Sequence, residues 1–326
     1  MSDSLNVSRD AVSRRRMLEA CAAIPVGLAA GAASSASAAD LTKIRIATAA
    51  SETSGAAMYA QDLGFFTQAG LAADLAFFQS GAVIVNTVVS GSADFGSSAV
   101  SSLALARGSG LPVTIVAAGG LSTGKPISAI IVLKDGPRTA ADLTGKTMAV
   151  PGLKTFSQYT AQLWIDKNGG DSRSVKFVEM PPAEMSAALE SHRVDSATTF
   201  EPGITLAMAT GNFRVLGNCA AVVAPRWLTS VWFSTDAYVQ QNPDATRRFV
   251  GAIRQGALWS NSHLAQSSAI LAKYTKLDPD LAARMTRDQQ GTVLDPALLQ
   301  PNLDVLARYN ALPNPVTVSQ LVWNPH

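Results

Sequence analysis

From Lys43 onward the apolar positions fall into short runs alternating with longer amphipathic ones. IRIATA (Ile44–Ala49) is rich in β-branched residues and predicts a strand, and the polar SETSG behind it predicts a loop. AAMYAQDLGFFTQAG (Ala56–Gly70) sets apolar residues at helical spacing and predicts one amphipathic helix. The alternation continues with strands over 73–78, 93–96 and 112–118 and helices over 82–89 and 100–107. It breaks at GGLSTGKP (Gly119–Pro126), whose small residues predict a domain boundary. Strands then follow over 128–133, 147–150, 175–179, 196–200 and 213–216, with helices ending near Lys167 and spanning 183–190 and 204–210. Strand–helix alternation of this rhythm predicts an α/β protein with parallel strands covered by helices. Ligands of such sheets lie beyond the carboxyl ends of the strands. Here those ends are rich in Ser, Thr and Gly.

Two stretches echo each other about 100 residues apart, SGSADFGSS (Ser90–Ser98) and SHRVDSATT (Ser191–Thr199). Both run helix end, turn, small apolar residue, Asp, strand and polar strand end. A true repeat predicts two similar α/β lobes; so short a match leaves chance as the competing account. In the tail, Asn242-Pro243, Asp278-Pro279 and Asp295-Pro296 each set a capping residue before a proline suited to the first helical turn. These helices are expected to cover a lobe already built.

The N-terminus assigns the compartment. Arg14-Arg15-Arg16 precedes an apolar stretch (Cys21–Ala33) and then the small-residue run SSASAAD, the layout of a cleaved export signal. It resembles a twin-arginine signal, with Met17 in the usual Phe position and Glu19 where Lys is usual. The apolar stretch is too short for a permanent anchor. Cleavage is expected near Ala38, within Ala36-Ser37-Ala38, giving a periplasmic protein. Of 26 basic and 24 acidic residues, removal of residues 1–39 takes Arg9, Arg14, Arg15, Arg16, Asp3, Asp10 and Glu19. The remainder is close to neutral, without a basic stripe, and no nucleic-acid partner is expected. Cys219 is then the sole cysteine, so no intrachain disulfide forms. His192, His263 and His326 share no metal-ligand spacing with it, and no metal or cofactor is expected.

DLTGKTMAVPGLKTFSQ (Asp142–Gln158) hands a strand over to a helix through Pro151-Gly152 and the hydroxyls of Thr155, Ser157 and Tyr159. Such a junction offers unpaired backbone N–H groups and the positive end of a helix dipole, a place to hold an anion or a polar group. The alternative is that Thr155 or Ser157 only caps its own helix.

DLTGKTMAVPG, LGFFTQAGL (Leu63–Leu71), the Gln79-Ser80-Gly81 loop, SGSADFG, VEMPPAEMSAALESHRVDS (Val178–Ser196), FEPG (Phe200–Gly203) and FSTDAYVQQNPDATRRFV (Phe233–Val250) occur in one order. Together they resemble the solute-binding proteins of ABC importers in the nitrate/sulfonate/taurine and thiamin-pyrimidine-precursor group. The resemblance implies a type II periplasmic-binding-protein fold: two lobes, each a mostly parallel sheet flanked by helices, joined by a two-crossing hinge. Lobe I would comprise 40–124 and 233–326, and lobe II 125–232. The implied protein is a non-catalytic, monomeric receptor that delivers a small organic solute to an inner-membrane permease and its ATPase.

The same resemblance implies a ligand site of Ser51, Glu52, Thr53 and Ser54 after the first strand, Gln79, Ser80 and Gly81 after the second, and Ser97 and Ser98 after the third. The second lobe would add Lys154, Thr155, Phe156, Ser157 and Glu201, with Trp232 roofing the cleft. Hinge packing competes for Trp227 and Trp232, and bracing of the crossing competes for Glu201. Helix N-termini, Lys154 and the hydroxyls favour a sulfonate or carboxylate. Glu52, Glu201 and the absence of arginine from these loops leave a neutral or zwitterionic nitrogen compound open. An enzyme on the same fold is the rival class, but a desulfinase would need a nucleophilic Cys in lobe I, which has none.

Overall fold

The computed structural model describes residues 41–78 and 80–324. The expected export signal and Gln79 lie outside them. The chain begins with β1 (Thr42–Thr48), α1 (Gly55–Asp62), α2 (Phe65–Gln68), β2 (Leu71–Phe77), α3 (Gly81–Val89), β3 (Phe95–Ala99) and α4 (Val100–Gly108). The single helix expected over 56–70 is two, because Gly64 takes the left-handed conformation at φ 73° and breaks it. Then come β4 (Val113–Ala118), β5 (Gly120–Ser122), β6 (Ser128–Leu133), β7 (Thr147–Val150), α5 (Phe156–Lys167) and β8 (Lys176–Glu179). Next are α6 (Pro182–Glu190), β9 (Ser196–Phe200), α7 (Gly203–Ala209), β10 (Phe213–Asn218), β11 (Trp227–Leu228) and β12 (Ser230–Thr235). The tail carries α8 (Asp236–Gln241), α9 (Pro243–Ser262), α10 (Leu264–Thr275), α11 (Pro279–Arg284), β13 (Gln289–Gln290), α12 (Gln300–Arg308) and α13 (Val318–Leu321).

Two five-stranded sheets form, in the orders β2-β1-β3-β12-β4 and β8-β7-β9-β6-β10, and β11-β5-β13 makes a third, small one. Both large sheets are mixed. In each, the first three strands run parallel and the last two pair antiparallel. The echo seen in the sequence is a structural repeat. Asp94 accepts a hydrogen bond from the Arg45 backbone N–H (2.7 Å) and Asp195 from that of Thr147 (2.8 Å). In return the Asp94 and Asp195 backbone N–H groups each donate to the Arg45 and Thr147 carbonyls at 2.9 Å. Each aspartate thus ties the entry of its own strand, β3 or β9, to the neighbouring parallel strand, β1 or β7.

Apolar clusters cover both faces of each large sheet. Ile46, Phe95 and Phe249 sit in one cluster of the first sheet, and Ile115, Val231 and Phe233 in the other. Ile131, Ala197 and Leu189 face Ile130, Val150 and Ile165 across the second sheet. The expected proline-led helix starts are all present. Asp278 and Asp295 cap through their side chains, whereas Asn242 does not.

Candidate functional site

A cavity of about 680 Å³ opens where the carboxyl ends of β1, β3 and β9 meet, walled by residues of both large sheets. Four helices begin at it. Ser54 precedes α1, Gly81 opens α3, Ala99 precedes α4 and Phe156 opens α5, and all four residues are in the wall. None of the four has a side-chain cap. Each therefore turns the positive end of its dipole toward the cavity with no side chain sealing its first turn, although at α1 the Gly55 N–H already donates to the Glu52 carbonyl. Helix starts away from the cavity are often sealed: Thr235, Asp278 and Thr317 accept from their own first turns.

Serine hydroxyls line the floor. Ser54 Oγ lies 3.0 Å from Ser97 Oγ, and Ser51 Oγ 3.2 Å from Thr53 Oγ1. The Ser98 hydroxyl is buried and has no partner among the described residues. A Cβ at Gly81 would come within 2.9 Å of that oxygen, so glycine there leaves it free to meet a ligand.

The carboxylates divide by what they already hold. Glu52 Oε2 pairs with Arg287 Nε at 2.7 Å, both side chains nearly buried, as an ion pair without a well-directed hydrogen bond. Arg287 also donates to Tyr59 Oη (2.8 Å) and Ser268 Oγ (2.7 Å). Burial pushes the Glu52 carboxyl up against the pull of Arg287. Burial likewise opposes the Arg287 charge, but Glu52 and Tyr59 outweigh it and hold the guanidinium above its ordinary value. Glu201 accepts from the Thr205 backbone and hydroxyl (both 3.0 Å), which caps α7, and from the Thr286 N–H at 3.2 Å. Asp288 is 5% exposed, and neither carboxyl oxygen has a partner among the described residues. Burial and nearby Glu52 push it up to about 8, with Lys125 and the Thr229 hydroxyl pulling the other way. That hydroxyl stops short of hydrogen-bonding geometry.

Of the residues expected at the site, Ser51, Glu52, Thr53, Ser54, Gly81, Ser97, Ser98, Phe156, Ser157 and Glu201 are in the wall. Gln79 lies outside the described residues. Ser80 is exposed and outside the wall. Lys154 is also exposed, in the left-handed conformation, its N–H donating to Gln158 Oε1 at 2.7 Å. Thr155 neither lines the cavity nor caps α5, since its hydroxyl donates to the Gly152 carbonyl at 2.7 Å.

Trp232 does not roof the cleft. It belongs to β12 inside the first sheet, and strand alternation turns it into the core, fully buried and edge-on to Phe249. The tryptophan in the wall is Trp227, its ring 5.7 Å from that of Phe156 and its Nε1 donating to the Ala220 carbonyl at 2.9 Å. Sequence reading also missed Thr229, Ser230, Thr286 and Asp288. The one local signal was the polar run TRDQQ (Thr286–Gln290), in which Asp288 and Gln290 are buried. Among the described residues the wall carries three carboxylates and no Lys, Arg or His. No group of described His, Cys, Asp or Glu side chains is placed to hold a metal ion.

The NMT1/THI5-like family model matches residues 53–265, and the chain belongs to that family. A Brucella abortus (strain 2308) chain provisionally named a binding protein is 27% identical over 222 residues, 67% of each chain. The taurine-binding periplasmic protein of Escherichia coli (strain K12) is 26% identical over 191 residues, 58% of this chain and 57% of its own. Among solved structures, the periplasmic aliphatic sulphonate binding protein SsuA from Escherichia coli superposes with a TM-score of 0.74 at 20% identity. The match covers 87% of this chain and 92% of that one. The fold is that of the periplasmic binding proteins.

Proposed function

We propose that the chain is an exported receptor that captures a small organic acid, a sulfonate or carboxylate, and delivers it to an ABC-type permease and its ATPase. The observation that carries this reading is the convergence of four uncapped helix starts, drawn from both large sheets, on one cavity floored by serine hydroxyls. Aligned N–H groups and dipole ends favour an anionic head group without an arginine clamp. The names of the sulphonate- and taurine-binding relatives support the same class. In this reading residues 40–124 and 233–326 form one lobe and 125–232 the other, a monomer closing as its ligand binds. The role is non-catalytic. Cys219, in the wall, is buried with its thiol pushed up to about 12 by burial, which starves it of the nucleophilic thiolate.

Native mass spectrometry of the protein recovered from periplasm tests both ligand and export. We expect a chain beginning near Ala38 with a bound small acid, and compaction in small-angle scattering when ligand is added. A full-length cytoplasmic chain that binds no solute overturns the reading. Replacing Arg14 and Arg15 by Lys should block export if the route is twin-arginine.

A further inference from the structure

We infer that Asp288 is a specificity-determining residue that accepts a protonated nitrogen of the bound solute, so that the ligand is a zwitterion. This rests on the receptor reading above. Three carboxylates stand in the wall, and two are spoken for: Glu52 holds Arg287, and Glu201 holds Thr205 and Thr286. The Glu52 oxygens also lack a hydrogen bond but have the Arg287 charge beside them, whereas Asp288 has both oxygens buried with neither a hydrogen bond nor an ion pair among the described residues. A buried polar group left so calls for a partner that arrives from outside.

Protonation does not supply one. As a carboxylate Asp288 lacks donors, and as an acid its O–H lacks an acceptor. The groups that bear on it are Glu52, which disfavours its charge, Lys125 and Thr229, which favour it, and Arg287, whose guanidinium is committed to Glu52, Tyr59 and Ser268. An ammonium group beside Asp288 supplies both the charge and the donors that are missing, and draws the proton off the acid as it binds. The acid end of the same molecule then lies over the open helix starts around Ser54, Gly81 and Ala99. Fixed dipoles and one carboxylate in a single cavity select a molecule with both ends, and reject an acid with no nitrogen to offer Asp288.

The test uses the mature protein and two matched pairs, taurine against ethanesulfonate and β-alanine against propionate, by calorimetry. In the wild type the amine of a bound pair should bind about tenfold to a hundredfold more tightly than its nitrogen-free partner. Asp288→Asn should erase that preference, and Asp288→Glu should retain part of it. Titrations in two buffers of different ionisation enthalpy should show proton release on amine binding in the wild type and none in Asp288→Asn. A purely structural role would move neither readout. Equal binding of the nitrogen-free partner, or an Asp288→Asn variant that keeps the preference, overturns the assignment. If neither pair binds, the solute released by denaturing the purified protein decides. A basic nitrogen in it supports the proposal and its absence overturns it. No released solute at all overturns the receptor reading itself.

Discussion

The two large sheets hold the same aspartate in the same place and yet wall the cavity with different chemistry. Asp94 and Asp195 make matching backbone brackets, so the two halves obey one folding rule. At the cavity the likeness ends. The first half and the chain's tail contribute a buried ion pair, an unpartnered aspartate and paired serine hydroxyls. The second sheet and its flanking segments contribute Phe156, Phe200, Ile127 and Cys219 beside the polar Ser128, Ser157, Thr160 and Glu201, while Thr229 and Ser230 come from the chain as it returns to the first sheet. A repeated scaffold therefore carries an unrepeated wall: most of its charge comes from one side, and the other is mainly apolar around the start of α5 and Glu201.

The sharpest way to break this contrast is at the buried ion pair. Glu52→Gln leaves the Arg287 guanidinium without its counter-charge and should cost about 3–5 kcal/mol, seen as a large fall in melting temperature. Glu52→Gln with Arg287→Met should recover much of the loss. Removing the brackets tests the likeness instead. Asp94→Ala should cost about 1–3 kcal/mol in denaturant unfolding, because it strands the Arg45 N–H and frees a guanidinium held at 2.6 Å. Asp195→Ala should cost less, since its ion partner Lys146 stands at 3.4 Å and both side chains are more than a third exposed.

A subtler contrast concerns pH. Asp288 titrates near 8 when folded, against an ordinary value of 3.8, so the folded chain binds more protons between those limits. Ligand-free stability should fall as pH rises from about 4 through about 8. Asp288→Asn should remove that component and melt higher than the wild type above pH 8, by on the order of 1 kcal/mol. The smallest effect belongs to the loop before α5. Ser157→Ala should weaken ligand binding several-fold with unchanged melting. Thr155→Ala should leave affinity alone and lose only the bond to Gly152, worth about 1 kcal/mol. Matched binding losses in both would restore a shared ligand role for the pair.

Much of the architecture was legible because it is written locally. The strands 147–150 and 196–200 and the end of α5 at Lys167 fall where periodicity placed them. The wall residues that were anticipated follow strand ends, where a short chain segment fixes the position. What stayed hidden depends on distance. Arg287 meets Glu52 across more than 200 residues, and no spacing within TRDQQ announces the pairing. Trp232 lies near a crossing in sequence, which leaves roofing the cleft and packing at the hinge both open, and strand alternation settles which way it points. The same difficulty split one expected helix at Gly64, where a left-handed glycine outweighed an unbroken apolar pattern.

Cys219 gives the cavity a clock. It is the free thiol of the described residues, fully buried and in the cavity wall. In protein lacking residues 1–39 an alkylating reagent has no other cysteine to find. The reagent must wait for the packing around Cys219 to part, so when closing outruns reaction the labelling rate measures how often this part of the wall opens. A bound solute should then slow labelling in proportion to its occupancy. The native thiol would read both opening frequency and affinity, with no probe introduced.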